Sequence, residues 1–171
     1  RKKLVELAVK YNVPVVEDNP YGELRFEGEK LPAIKHFDTT GIVIFLGTFS
    51  KIFSPGLRIG WVAASPEIVR KYVLVKQGAD LQCNSMAQRE AAVFMEMYDI
   101  EKHIEKIIEV YRRRRDLMIE TMKKEFPEGF TFTYPSGGLF TWVEMPEGLD
   151  AAEVLKKALE EKVAFVPGGT F

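Results

Sequence analysis

Cysteine occurs once in the 171 residues, at Cys83, and histidine twice, at His36 and His103. A lone cysteine forms no intramolecular disulfide and no cysteine-built zinc site, and two histidines are too few for a His-rich metal centre. Charge of one sign is missing too: 24 Lys and Arg stand against 25 Asp and Glu, a formal net charge of −1. That balance supports neither a nucleic-acid surface nor an acidic tail. No apolar run approaches the roughly 20 residues of a bilayer span, and no signal-peptide pattern opens the chain. The hydrophobic content, 46%, is ordinary for a globular protein with a sizeable core. Together these features predict a soluble, cytoplasmic protein with no nucleic-acid or membrane partner.

The chain opens on Arg1 rather than Met, already in helical periodicity. Leu4, Leu7, Ala8 and Tyr11 recur at i, i+3, i+4 and i+7 with no Ser, Thr, Asp or Asn cap before them. Phe171 follows the turn Pro167-Gly168-Gly169 almost directly. Both ends read as cuts in a longer parent.

After Asn12, a plausible helix stop, three short apolar runs follow: Val13 to Val16, Ile42 to Leu46, and Ile59 to Ala64. None alternates, which predicts strands buried on both faces, as in parallel α/β sheets, with Trp61 in the core. Ser65-Pro66-Glu67 reads as a cap with proline at the first helical position. From about Ser85 to Phe126 the pattern is helical, with a break near Tyr98-Asp99. Arg112 to Arg115 encircle that helix at about 100° per residue. With Glu109 and Asp116 beside them they predict a solvated, ion-paired surface. Phe130 to Tyr134 then alternates, Leu139 to Met145 reads as a second strand, Ala151 to Glu161 as a helix and Val163 to Val166 as a last strand. The change of texture predicts two parts, 1–100 and 101–171, the second a small α+β domain.

Polar groups gather at the carboxyl ends of the first two runs, where doubly wound sheets place ligands. Asp18 and Tyr21 follow the first; Thr48, Ser50 and Lys51 follow the second. A lysine amine can form a Schiff base with a carbonyl compound. Arg58, seven residues on and flanked by Pro55-Gly56 and Gly60, adds phosphate-holding equipment to the hydroxyls. Each piece has a plain reading: loop lysines are mostly solvated, Asp18-Asn19-Pro20-Tyr21-Gly22 suits a turn, and Thr48 and Ser50 could bend the chain. Their order and placement favour a site. Cys83 lacks a neighbouring histidine to activate it. Phe140 and Trp142 could line a substrate entrance, although core packing explains them better, and Gly137-Gly138 suits equally a close backbone approach near the substrate or a hairpin turn.

Asp18-Asn19-Pro20-Tyr21, Gly47-Thr48-Phe49-Ser50-Lys51 and Ser54-Pro55-Gly56-Leu57-Arg58-Ile59-Gly60-Trp61 resemble the class I/II aminotransferases. These are fold-type-I enzymes that use pyridoxal 5′-phosphate (PLP). The resemblance runs through Gly137-Gly138-Leu139-Phe140 to Val166-Pro167-Gly168-Gly169-Thr170-Phe171. Lys76-Gln77-Gly78-Ala79-Asp80-Leu81 is most similar to the α-aminoadipate and kynurenine aminotransferase subgroup. The resemblance implies an α/β fold: residues 1–100 as the C-terminal part of the PLP-binding large domain, and residues 101–171 as the interdomain helix and an incomplete small domain. It implies that Lys51 forms the Schiff base and shuttles a proton, that Asp18 holds the pyridine nitrogen, and that Tyr21 bonds the ring oxygen. Arg58, Thr48 and Ser50 would anchor the phosphate. Substrates would be an amino acid and a 2-oxo acid, and the full-length parent a homodimer. By the family pattern, a substrate-carboxylate arginine and the groups flanking the PLP ring lie outside these residues, so the chain alone is expected to be inactive. Another fold-type-I lyase or synthase, or the PLP-binding effector domain of a transcription regulator, would use the same residues.

Overall fold

A computed structural model describes every residue from Arg1 to Phe171. Helix α1 (Lys2–Tyr11) buries Val5 and Ala8 and ends at Asn12. Asn12 takes the left-handed conformation (φ 52°) and donates its N–H to the Ala8 and Val9 carbonyls, a role asparagine fills at low steric cost. Strands β1 (Val15–Asp18), β2 (Val43–Thr48) and β3 (Gly60–Ala63) form one sheet in that order. β1 and β2 run parallel, with Val15 opposite Val43 and Asp18 opposite Leu46.

β3 departs from the expected parallel set: it is antiparallel to β2, with Gly47 opposite Trp61 and Thr48 opposite Gly60. The link of residues 49–59 is shorter than the dozen or so residues of a parallel crossover, so the chain turns back. Burial on both faces is not met either. All four residues of β3 are exposed, Trp61 among them at 40%, and so is Val16 of β1.

The β1–β2 connection contains no α-helix, only a 3-10 turn at Ile34–Phe37. Two carboxylates fasten it. Buried Glu17 accepts the Ile34 and Lys35 N–H groups at 2.8 and 2.9 Å. The Asp38 side chain, fully buried, accepts the N–H groups of Thr40, Gly41 and Ile42 on one oxygen. Its other oxygen accepts from the Val43 N–H and the Lys35 ammonium, each at 2.9 Å. Burial alone would raise the Asp38 pKa; the bonds from Val43, Lys35, Thr40 and Gly41 outweigh it and hold the carboxyl well below the usual carboxylate range.

Helices α2 (Pro66–Ala79), α3 (Ser85–Met97) and α4 (Ile100–Glu125) follow. Pro66 opens α2 as expected, after Ser65. The Asn84 side chain caps α3 by accepting from Met86 and Ala87 N–H. The break near Tyr98-Asp99 is present between α3 and α4.

The chain clusters into two compact units. One comprises Arg1–Arg114 and Ser136–Leu139. Within it Leu24, Ile52 and Ile104 form a buried cluster, with Tyr21, Phe49 and Tyr111 packed against it. Ser136–Leu139 is stitched to the segment after Tyr21: Phe26 and Glu27 N–H reach the Ser136 carbonyl, and Gly138 N–H the Leu24 carbonyl. A Cβ on Gly137 would lie 2.5 Å from that Leu24 oxygen, so only glycine fits.

The other unit comprises Arg115–Pro135 and Phe140–Phe171. Strands β4 (Thr131–Phe132) and β5 (Val143–Glu144) pair antiparallel, and α5 (Ala151–Glu160) starts at an Asp150 cap. These strands are shorter than the alternation suggests, and residues 163–166 form no strand. The arginine run is only partly the solvated surface expected. Arg113 is exposed and paired with Glu109. Arg112 donates to the Phe26 carbonyl. Arg115 is 7% exposed, lies over the Tyr134 ring at 4.2 Å, pairs with Asp116 and donates to the Pro135 carbonyl.

Candidate active site

Register places the first group of polar residues. Asp18 ends β1 opposite Leu46, and Thr48 lies two residues farther along β2, so the side chains of Asp18, Leu46 and Thr48 share one face of the sheet. Asp18 is exposed and its carboxylate has no hydrogen-bond or ion-pair partner. The sheet edge continues one residue past it, through the Asn19 N–H to the Leu46 carbonyl. Tyr21 lies against the Leu24–Ile52–Ile104 cluster, and its carbonyl accepts the Leu24 N–H at 2.9 Å.

The end of β2 carries the second group. Thr48 Oγ1 accepts the Ser50 N–H at 3.0 Å and lies 3.0 Å from Ser50 Oγ and 3.2 Å from the Ile59 carbonyl. Arg58 reaches back to this point: its Nη1 donates to the Pro55 carbonyl at 3.1 Å and sits 3.5 Å from Ser50 Oγ. It does so from a left-handed backbone, φ 54°. For a residue other than glycine that conformation is held by its surroundings, and such positions concentrate at binding sites. Two hydroxyls and a guanidinium with spare N–H groups make a phosphate-holding set.

Lys51 projects from the turn after β2. The Phe49 carbonyl accepts both Phe53 N–H (2.9 Å) and Ser54 N–H (3.1 Å), which closes the turn. Ile52 roots it in the core at 7% exposure. Lys51 is half-buried, and its ammonium has no hydrogen-bond or ion-pair partner. An amine held by its backbone and unpaired is available to a carbonyl carbon.

The structure therefore joins Thr48, Ser50 and Arg58 by direct contact and sets Asp18 on the same sheet face as Thr48. No hydrogen bond or ion pair joins Lys51 to Asp18. Composition patterns did not show the packing that shapes β2's end. A Cβ on Gly47 would lie 2.3 Å from Trp61 Cε2, so the indole lies across the glycine. The glycine just before Thr48 is the sequence signal of that approach. An apolar cavity of about 410 Å3 lies alongside, lined by Thr48, Asn19, Phe45, Trp61, Met95 and Ile104 among others. Lys51, Asp18, Tyr21 and Arg58 do not line it, so the polar cluster, not the cavity, is the candidate site.

The family model of aminotransferase class I and II matches residues 1–171, and the chain belongs to that family. An aromatic-amino-acid aminotransferase of Thermococcus litoralis is 49% identical over 171 residues, 100% of this chain and 41% of that protein. The structure of a Pyrococcus horikoshii kynurenine aminotransferase, in complex with PMP, superposes with a TM-score of 0.92 at 47% identity, covering 98% of this chain and 41% of that one. An alpha-aminoadipate aminotransferase of Thermus thermophilus, complexed with N-(5′-phosphopyridoxyl)-L-leucine, gives 0.93 at 38% identity, covering 98% and 44%. An HTH-type transcriptional regulator of Bacillus subtilis is 30% identical over 168 residues, 98% of this chain and 35% of that protein. The chain thus spans about two fifths of the length of these aminotransferases, and its α/β fold is theirs. No helix is long and apolar enough to cross a membrane.

Proposed function

We propose that the protein carrying these residues is a PLP-dependent aminotransferase that exchanges an amino group between an amino acid and a 2-oxo acid. Aromatic amino acids and 2-aminoadipate, which the names of its relatives carry, are the favoured substrates, with glutamate as a further candidate. The observation that carries the reading is the contact set of Thr48, Ser50 and Arg58 beside the unpaired Lys51 amine. In this reading residues 1–100 belong to the cofactor-binding large domain, and residues 101–171 supply the connecting helix and part of a small domain. The working protein is a cytoplasmic homodimer.

The donor set suits PLP part by part. The hydroxyls of Thr48 and Ser50 and the Arg58 guanidinium offer donors to a phosphate. Asp18, a carboxylate with no partner, suits a protonated ring nitrogen, and the Tyr21 hydroxyl can donate to the ring oxygen. Lys51 suits the aldehyde. When bound, PLP supplies that aldehyde and an electron-withdrawing ring that acidifies the carbon bearing the substrate amine. Lys51 Nζ would hold the cofactor covalently, and as a free amine it would take and return the substrate proton, general base and acid in turn. Asp18 would keep the proton on the ring nitrogen and Arg58 the phosphate end fixed, so that the lysine would work at one place.

In the full-length protein, Lys51→Ala is expected to abolish multiple-turnover transamination. It is also expected to remove the borohydride-fixed cofactor adduct seen by mass spectrometry on the Lys51 peptide of the unsubstituted protein. Sustained turnover by that variant would sink the assignment. A transcription regulator also matches, at 30% identity against 49% for the aminotransferase, so the weaker second reading is an effector domain that binds PLP without turnover. A panel of amino acids separates the two: conversion of bound cofactor to its amine form marks the enzyme, and no conversion by any of them marks the regulator.

A further inference from the structure

The turn that carries Lys51 is docked through the two residues that follow it. Ile52 packs with Ile104, and Phe53 packs on the residue before Ile104 in α4, His103. The Phe53 ring lies 4.2 Å from Phe94 and 6.4 Å from His103, edge-on to the imidazole at 81°. His103 also meets Phe94 edge-on, at 5.8 Å and 76°. Two successive residues of the turn thus sit on two successive residues of the helix.

His103 Nε2 is buried and has no hydrogen-bond partner. Buried polar atoms are ordinarily bonded, so this imidazole is held as a ring, by its aromatic neighbours. The Lys51 amine has no partner to aim it; its direction is inherited from the turn. A fixed turn is therefore what pre-places the amine.

We propose that His103 is a positioning residue for Lys51, acting through Phe53 to hold the turn from which the amine reaches its carbonyl partner. The proposal rests on the reading of Lys51 as the cofactor-bearing lysine. His103 supplies shape rather than a proton, so an aromatic ring without nitrogen does the same work.

The test compares His103→Ala and His103→Phe in the full-length protein. Three quantities are read: the pH midpoint of the bound-PLP absorbance, the rate of PLP release, and the rate of Lys51 labelling by an amine reagent in PLP-free protein. His103→Ala is expected to move the midpoint by about half a pH unit and to speed release about tenfold. It should also change the labelling rate at Lys51 more than at surface lysines. His103→Phe is expected to restore all three. Ile119→Ala, at a buried position of α4 that is not part of the Leu24–Ile52–Ile104 cluster, should lower the melting temperature without moving them. The proposal is overturned if His103→Ala leaves the three readouts as they were, if His103→Phe does not restore them, or if Ile119→Ala moves them equally. If His103→Ala does not fold, Phe53→Leu is read in its place. Should the unsubstituted protein bind no PLP, the functional reading fails, and the labelling of Lys51 still decides the positioning role.

Discussion

Arg58 shows how much a single residue depends on its neighbours. Its left-handed φ of 54° and its bond to the Pro55 carbonyl turn the guanidinium toward Ser50. Charge-assisted hydrogen bonds contribute about 1.5–3 kcal/mol each, so Arg58→Ala is expected to weaken PLP binding about tenfold to a hundredfold. Titration of cofactor-free protein with PLP, followed by absorbance, measures this. Arg58→Lys should recover only part of the affinity, because a point charge does not replace a planar fork. The spacing of Thr48, Ser50, Lys51 and Arg58 is legible as a pattern in the linear order of residues. The left-handed conformation and the Gly47–Trp61 approach are not, since both arise where two chain segments meet. Arg115 makes the same point: within a run of four identical residues, only packing decides which one is buried.

At the scale of elements, the helices follow their periodicity and caps. Asn12, Ser65-Pro66 and Asp99 stand at or beside the helix boundaries as local chemistry directs. The direction of β3 is not legible, because an apolar run records burial and carries no sign of orientation. The β1–β2 connection holds the least expected device, the Asp38 clamp. Its carboxyl is depressed below the ordinary value, so its contribution is complete above the unfolded-state pKa, near 4, and is lost as pH falls below that. Asp38→Asn is expected to cost about 3 kcal/mol at pH 7, by leaving buried donors poorly matched. The gap between the two proteins should narrow as acid protonates the unsubstituted one. Urea unfolding at a series of pH values, followed by circular dichroism, checks both statements; a constant gap down to pH 2 would contradict them.

At the scale of the molecule, exposed apolar side chains stand out: Val16 of β1, Trp61 and Val62 of β3, and Tyr72 and Val73 of α2. Trp61 and Val62 are successive residues of β3, so exposed apolar side chains stand on both faces of the sheet, and apolar surface of this extent marks faces made for contact. The 171-residue chain expressed alone is therefore expected to bind a hydrophobic dye such as anilinonaphthalene sulfonate and to show no transamination, whereas the full-length protein binds little dye and turns over. Equal dye binding by both would contradict this reading of the faces. The sequence by itself determined the helices, the Asn12 stop and the Ser65-Pro66 start among their ends, and the order Asp18, Tyr21, Thr48, Ser50, Lys51, Arg58, because periodicity, φ preference and spacing are local properties. Only tertiary structure decided that β3 turns back along β2, that Ile52 and Phe53 seat the Lys51 turn on α4, and that Arg58 meets Ser50. Each of these joins residues through space, where the energy depends on contacts the linear order does not specify.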